Sequence, residues 1–125
     1  MNYQYSAFAT NPDDYIDTNI FFGEIKKTIL SKEFKGGKVT NVFGATKLDF
    51  SYADISGVVV LDISQVLGEL KLIVPDNWRV EPDLSQFFAT VTDKRVDLGE
   101  TRNTNKVLVL TGSNVMGEVK IKSSY

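Results

Sequence analysis

The stretch Val42-Phe43-Gly44-Ala45-Thr46-Lys47-Leu48-Asp49-Phe50 decides the fold. A bulky apolar residue meets a tiny one at Phe43-Gly44, and clean alternation follows. Alternation of period two marks a strand with one buried and one wet face. The same phrase recurs as Phe22-Gly23, Leu67-Gly68, Phe88-Ala89 and Met116-Gly117. Its small members stand at 23, 44, 68, 89 and 117, so the intervals are 21, 24, 21 and 28. Self-similarity at such a period is the mark of stacked repeats, each burying its face against the next.

Each interval has room for a second strand and its turns. Thr28-Ile29-Leu30, Val58-Val59-Val60-Leu61-Asp62-Ile63, Trp78-Arg79-Val80 and Val107-Leu108-Val109-Leu110 supply the strands. Lys35-Gly36-Gly37-Lys38, Ser56-Gly57, Pro75-Asp76-Asn77, Glu81-Pro82-Asp83 and Thr111-Gly112-Ser113-Asn114 carry turn chemistry. The polar stretch 97–106 falls in the longest interval and reads as an inserted loop. Helix is nearly absent, and its best candidate, Ser64-Gln65-Val66-Leu67, is claimed by the repeat for a strand. The predicted fold is therefore all-β, a short right-handed single-stranded β-helix (β-solenoid) of about five coils over residues 19–125. Residues 1–18 form a polar and aromatic segment (Tyr3, Tyr5, Phe8, Tyr15) expected to cap the stack or mediate self-association.

In such a stack equivalent positions line up. Phe22, Phe43, Leu67, Phe88 and Met116 are expected to form one buried apolar column. Ile25, Thr46, Leu70, Val91 and Val119 form a second, with Glu24, Lys26, Lys47, Glu69, Lys71, Glu118 and Lys120 facing water. On this reading Phe43→Ala costs about 3–5 kcal/mol. Ala89 stands where the other copies have Gly23, Gly44, Gly68 and Gly117, so small size rather than positive φ is the expected requirement.

Composition limits the function. The chain has 125 residues, 42% hydrophobic and 24% charged, as in one ordinary globular domain. The net charge is −2, which gives no electrostatic case for nucleic acid or acidic lipid. There is no cysteine and no histidine, which removes disulfides, thiolate chemistry, His-based triads and imidazole metal sites. No apolar run approaches the roughly 20 residues of a membrane span, and no signal peptide is visible at the start. The expected location is cytoplasmic, or a soluble domain at a membrane face.

Other clusters carry a bland reading beside a functional one. Asp93-Lys94-Arg95 reads as a solvated turn or a partner-docking point. Trp78, the single tryptophan, reads as core or as an exposed interface anchor. Asp49, Tyr52 and Asp54, like Asp13, Asp14 and Asp17, match no cation-binding spacing and read as loop carboxylates. Gly36-Gly37-Lys38 lacks the spacing and helix of a phosphate loop. Lys26, Lys27, Lys32, Lys35 and Lys38 give a mild basic bias that Glu24 and Glu33 dilute. No catalytic residue, cofactor or metal ligand is expected.

Several phrases together resemble a family. Val42-Phe43-Gly44, Leu72-Ile73-Val74-Pro75-Asp76-Asn77-Trp78-Arg79-Val80, Asp93-Lys94-Arg95 and Val115-Met116-Gly117-Glu118-Val119-Lys120-Ile121 resemble the C-terminal domain of LiaF-like, cell-wall-active antibiotic response proteins. Ser31-Lys32-Glu33-Phe34-Lys35-Gly36-Gly37 is similar to that family's linker between its first two repeats. The resemblance covers residues 20–122 and implies a β-solenoid without catalytic residues. It implies an interaction domain of envelope-stress signalling, with a membrane-bound sensor kinase or regulator as partner. The family's double glycine is replaced here by Glu24, Ala45, Glu69, Thr90 and Glu118 at its second position. The membrane helices that precede the domain in the family are not in this sequence, so a stand-alone relative or part of a longer protein is expected. The alternative function is a carbohydrate-binding or carbohydrate-active β-solenoid.

Overall fold

The computed structural model describes residues 14–95 and 103–123. All regular structure in them is β, arranged as two parallel sheets. The first contains β1 (Tyr15–Ile20), β3 (Gly36–Val42), β5 (Gly57–Val66), β10 (Asn103–Val115) and β7 (Trp78–Pro82) in that spatial order. The short β8 (Ser85–Phe87) continues along β10. The second sheet runs β2 (Gly23–Thr28), β4 (Gly44–Asp49), β6 (Glu69–Ile73), β11 (Glu118–Lys122) and β9 (Thr90–Asp93). The chain passes from the first sheet to the second at each Phe-Gly-like phrase. This is the all-β, parallel, β-helix-like architecture expected from the repeat.

The spatial order departs from sequence order at one place. The last repeat, β10 with β11, lies between the third and the fourth. It pairs β5 from Lys106↔Gly57 to Val115↔Val66, and β7 and β8 on its other side. Proline explains the exchange. Pro82 lies in β7 and has no N–H for a ladder, so β7 belongs at a sheet edge. The fourth repeat, with Glu81-Pro82-Asp83, therefore closes the stack, while Val107-Leu108-Val109-Leu110 fills the interior place.

The core lies between the sheets. Val59, Leu61, Ile63, Leu108 and Leu110 come from the first, and Leu48, Leu70, Leu72, Val119 and Ile121 from the second. Phe34, Phe50 and Trp78 close one side, with ring centroids 5.1 Å apart for Phe34–Phe50 and 5.8 Å for Phe50–Trp78. The second expected column holds: Thr46, Leu70 and Val119 are buried, and Ile25 and Val91, on the two outer strands, are half-buried.

Several local expectations change. Thr111-Gly112-Ser113-Asn114 lies within β10, paired with β5, instead of forming a turn. Gly36 and Gly37 begin β3 instead of forming a turn. A Cβ at Gly36 would lie 2.3 Å from the Val60 carbonyl oxygen, and one at Gly37 2.2 Å from that of Ile16. These glycines let β3 fit between its neighbours. The boundary expected after residue 18 falls inside β1, so Tyr15 belongs to the sheet. Tyr3, Tyr5, Phe8 and Asp13 lie outside the described residues, as does 96–102 of the expected loop, whereas Asn103 to Lys106 belong to β10.

Candidate functional site

The largest correction concerns the opening phrase. Phe22, Phe43, Leu67, Met116 and Phe88 do not form a buried column; all five are exposed. The cause is backbone geometry at the corner between the sheets. Phe43, Leu67, Phe88 and Met116 have φ of 55°, 52°, 51° and 50°. This left-handed conformation turns the chain and points the side chain outward. It costs a residue with a Cβ roughly 1–2 kcal/mol. In the first copy Gly23, with φ 113°, takes positive φ instead.

Hydrogen bonds carry the stacking across the corner. Phe43 N–H donates to Val66 O at 3.0 Å, Leu67 N–H to Val115 O at 2.9 Å and Met116 N–H to Phe87 O at 2.8 Å. The five bulky residues thus follow the order Phe22, Phe43, Leu67, Met116, Phe88 along one edge of the molecule. With strands roughly 4.8 Å apart, the row is about 19 Å long. Phe22 and Phe43 stack at 5.6 Å between centroids. Phe21, Val66 and Phe87 are exposed beside this row, and Val42 and Val115 are half-buried, which widens it into a two-column apolar ridge.

What lies inside the corner is polar. Asn41, Gln65 and Asn114 are fully buried and form an amide ladder. Asn41 Nδ2 donates to Gln65 Oε1 at 2.8 Å, and Gln65 Nε2 to Asn114 Oδ1 at 3.0 Å. The same amides donate to the carbonyls of Gly44, Glu69, Glu118 and Thr90 just past the turn. Buried backbone carbonyls at an irregular corner need such donors. The small residues make room for them. A Cβ at Gly68 would lie 2.7 Å from Gly44 O and 2.8 Å from Asn41 Nδ2, and one at Gly117 2.7 Å from Asn114 Oδ1. Small size is the requirement at Gly44, Gly68 and Gly117, as expected, whereas Gly23 has room for a Cβ and supplies positive φ instead.

This ladder was not recognised in the sequence, although a signal was present. Three residues before each small one stand Ile20, Asn41, Gln65, Gln86 and Asn114. Four of the five are amides, and Gln65 shares its face of β5 with Val59, Leu61 and Ile63.

The ridge has unlike flanks. On the first sheet the outward row is Asn19, Thr40, Ser64, Ser113 and Ser85. On the second it is Glu24, Ala45, Glu69, Glu118 and Thr90, followed by Lys26, Lys47, Lys71, Lys120 and Thr92. Lys120 pairs with Glu69 at 3.2 Å and Glu118 at 3.6 Å, and these carboxylates hold its ammonium above the usual lysine range. Lys122 lies lower because Lys71 repels it and burial and Lys94 add to the effect. Where Ala45 interrupts the glutamates, a depression of ≈160 Å³ opens among Glu24, Lys26, Lys47, Glu69 and Lys71.

The other expected sites resolve into structure. Trp78 is buried, so it is no interface anchor. Asp93 and Lys94 are exposed, but the Arg95 side chain is fully buried. It donates to Pro75 O at 2.9 Å and Trp78 O at 2.7 Å, and pairs with Asp93 at 2.9 Å. Arg95 is a clamp on the turn before Trp78, neither a solvated residue nor a docking point. Asp49 accepts from the Ser51 N–H at 2.9 Å. Asp54 pairs with Lys106 at 2.7 Å, and the Tyr52 carbonyl accepts from Lys32 Nζ at 2.6 Å. Asp14 accepts from the Ser31 hydroxyl, and Asp17 from Asn19 Nδ2 at 3.3 Å. Among the described residues no group of three or more acidic side chains is placed to hold a metal ion. Among them, too, no helix is long and apolar enough to cross a membrane.

Comparison with protein-family models, with curated proteins and with solved structures finds no match for this chain.

Proposed function

We propose that this protein is a non-enzymatic interaction domain that docks a protein partner through the apolar corner ridge. The five sheet-to-sheet passages are, in this proposal, coils of a right-handed β-solenoid, the hand favoured for parallel crossovers. The observation that carries the reading is the outward display of Phe22, Phe43, Leu67, Met116 and Phe88. Four of these residues hold a strained backbone that glycine would adopt freely. A bulky apolar side chain at such a position adds little to the core, so its use is outside. The motif resemblance to the LiaF C-terminal domain extends the proposal to envelope-stress regulation, with a membrane-bound sensor kinase or regulator as partner.

A photo-crosslinking residue at Phe43, with another at Lys38 as control, tests the reading in envelope-stressed cells. The expected result is a crosslink to another protein chain from position 43 alone. Equal crosslinking from both positions, or none from 43, would overturn it. Binding to a glycan that ignores substitutions in the ridge would favour the carbohydrate reading instead.

A further inference from the structure

We infer that the ridge takes a second copy of this chain, in a two-fold dimer with Leu67 on the axis and the two ridges antiparallel. This rests on the reading of the ridge as a docking surface and names one occupant for it.

A two-fold interface uses the same patch on both copies, so residue i meets residue j and j meets i. A row whose positions match in size and exposure at equal distances from its centre satisfies this along its whole length. The inner column runs Phe21, Val42, Val66, Val115, Phe87, a palindrome of Phe-Val-Val-Val-Phe. The outer row runs Phe22, Phe43, Leu67, Met116, Phe88, with 79, 51, 40, 51 and 79% of each residue exposed. The inner column is symmetric in composition and the outer row in exposure, with Phe43 and Met116 as the one unlike pair of similar size. The symmetry exists in space and not in sequence, because the last repeat sits between the third and the fourth.

Area agrees, and so does the charge of the row nearest the ridge, while Lys47 with Lys120 and Lys71 with Lys71 meet only one step further out at the rim. At roughly 200 Å² per side chain, the five exposed phenylalanines present on the order of 600 Å². Leu67, Met116 and Val66 bring the ridge near the roughly 800 Å² that each partner gives a standard interface. That exceeds the largest apolar patch of most monomers. Antiparallel ridges also set the flanking glutamates against uncharged residues. Glu24 falls opposite Thr90 of the second copy, and Glu118 opposite its Ala45. Only Glu69 meets its own copy, and Lys120 already pairs it at 3.2 Å. The hydroxyl flanks, Thr40 with Ser113 and Ser64 with Ser64, can donate to one another across the other rim.

Sedimentation of the full chain over a range of concentrations tests the proposal. The expected result is a dimer whose dissociation constant rises about tenfold or more in Leu67→Asp, where like charges meet on the axis. Val58→Asp, on another exposed apolar residue, is expected to leave the dimer unchanged. Circular dichroism confirms that both variants are folded. The chain has no cysteine, so introduced thiols report geometry cleanly. Leu67→Cys is expected to form a disulfide with its own copy. Phe22→Cys is expected to crosslink to Phe88→Cys and not to itself, since a disulfide needs Cα atoms within roughly 7 Å. A monomer at every concentration, a dimer that survives Leu67→Asp, or self-crosslinking of Phe22→Cys would overturn the dimer. A monomer that still gives the position-43 crosslink to another protein would leave the docking reading standing.

Discussion

Asn41 and Gln65 lie side by side in the interior, Nδ2 donating to Oε1 at 2.8 Å, with no solvent on either. Gln65 is the middle of the ladder and also serves Asn114 and the Glu118 carbonyl. The Asn41 Oδ1 atom, facing the Ile20 rung, finds no donor among the described residues. The ladder therefore runs in one direction and ends on an open acceptor.

Gln65→Leu keeps the size and removes three hydrogen bonds at once, leaving Asn114 Oδ1 and the Glu118 carbonyl each short of a donor, while Asn41 Nδ2 keeps the Gly44 and Glu69 carbonyls. Each unsatisfied buried group costs about 1–3 kcal/mol, so an overall loss of about 2 kcal/mol or more is expected in urea denaturation. A loss under about 1 kcal/mol would mean that the ladder is filler. Gly68→Ala strikes the same place from the backbone and is expected to destabilise by about 1–3 kcal/mol.

The corner sets a second contrast. Phe43→Gly removes an exposed side chain and relieves a left-handed residue, so stability is expected to stay level or rise by up to about 1 kcal/mol. Leu48→Ala, at a fully buried position of the same strand turn, is expected to lose about 2–5 kcal/mol. Melting temperatures of the two variants measure the difference directly, and a sharp drop for Phe43→Gly would restore Phe43 to the core.

This contrast marks how far the sequence could be read. The repeat, the parallel β class and the second column were legible because period-two alternation maps side chains onto faces without further knowledge. The facing of Phe43 was not, because hydrophobicity suggests burial while parity puts Asn41 inside, Val42 outside, and then a left-handed residue breaks the alternation. Asn41 and Gln65 were missed because polar residues are assigned to water unless their partners are known. The place of the last repeat was recoverable only by treating Pro82 as evidence for an edge. Arg95 was read with its charged neighbours, yet its role depends on carbonyls 17 and 20 residues away.

Arg95→Ala removes the guanidinium donor from the Trp78 carbonyl and one of the two donors of the Pro75 carbonyl, which keeps the Trp78 N–H at 3.2 Å. Breaking a buried pair by removing one partner costs about 3–5 kcal/mol, and Asp93 is partly exposed, so a value near 3 kcal/mol is expected. The loss should be local as well as global. Hydrogen exchange is expected to quicken first in β7 and β9, while β3 and β4 stay protected. Uniform quickening would show that the fourth repeat and the rest unfold as one unit.

Acid stability follows from one pair and one absence. The hydrogen bond from Lys106 holds the Asp54 carboxyl below its ordinary value of 3.8. A carboxyl whose folded pKa is depressed contributes stability that is present above its unfolded pKa and is lost as pH falls through the folded one. Asp54→Asn is therefore expected to be less stable than the parent at pH 7 and to converge with it below pH ~3.8. The Asp54 side chain is 42% exposed, so the difference at pH 7 is that of a surface pair, under about 1 kcal/mol. Because the chain has no histidine, no side chain of ordinary pKa titrates between about pH 5 and 8. Stability of the parent is expected to be flat across that interval and to fall only on the acid side. A step near pH 6.5 in chemical denaturation would reveal a carboxyl raised far above its usual range.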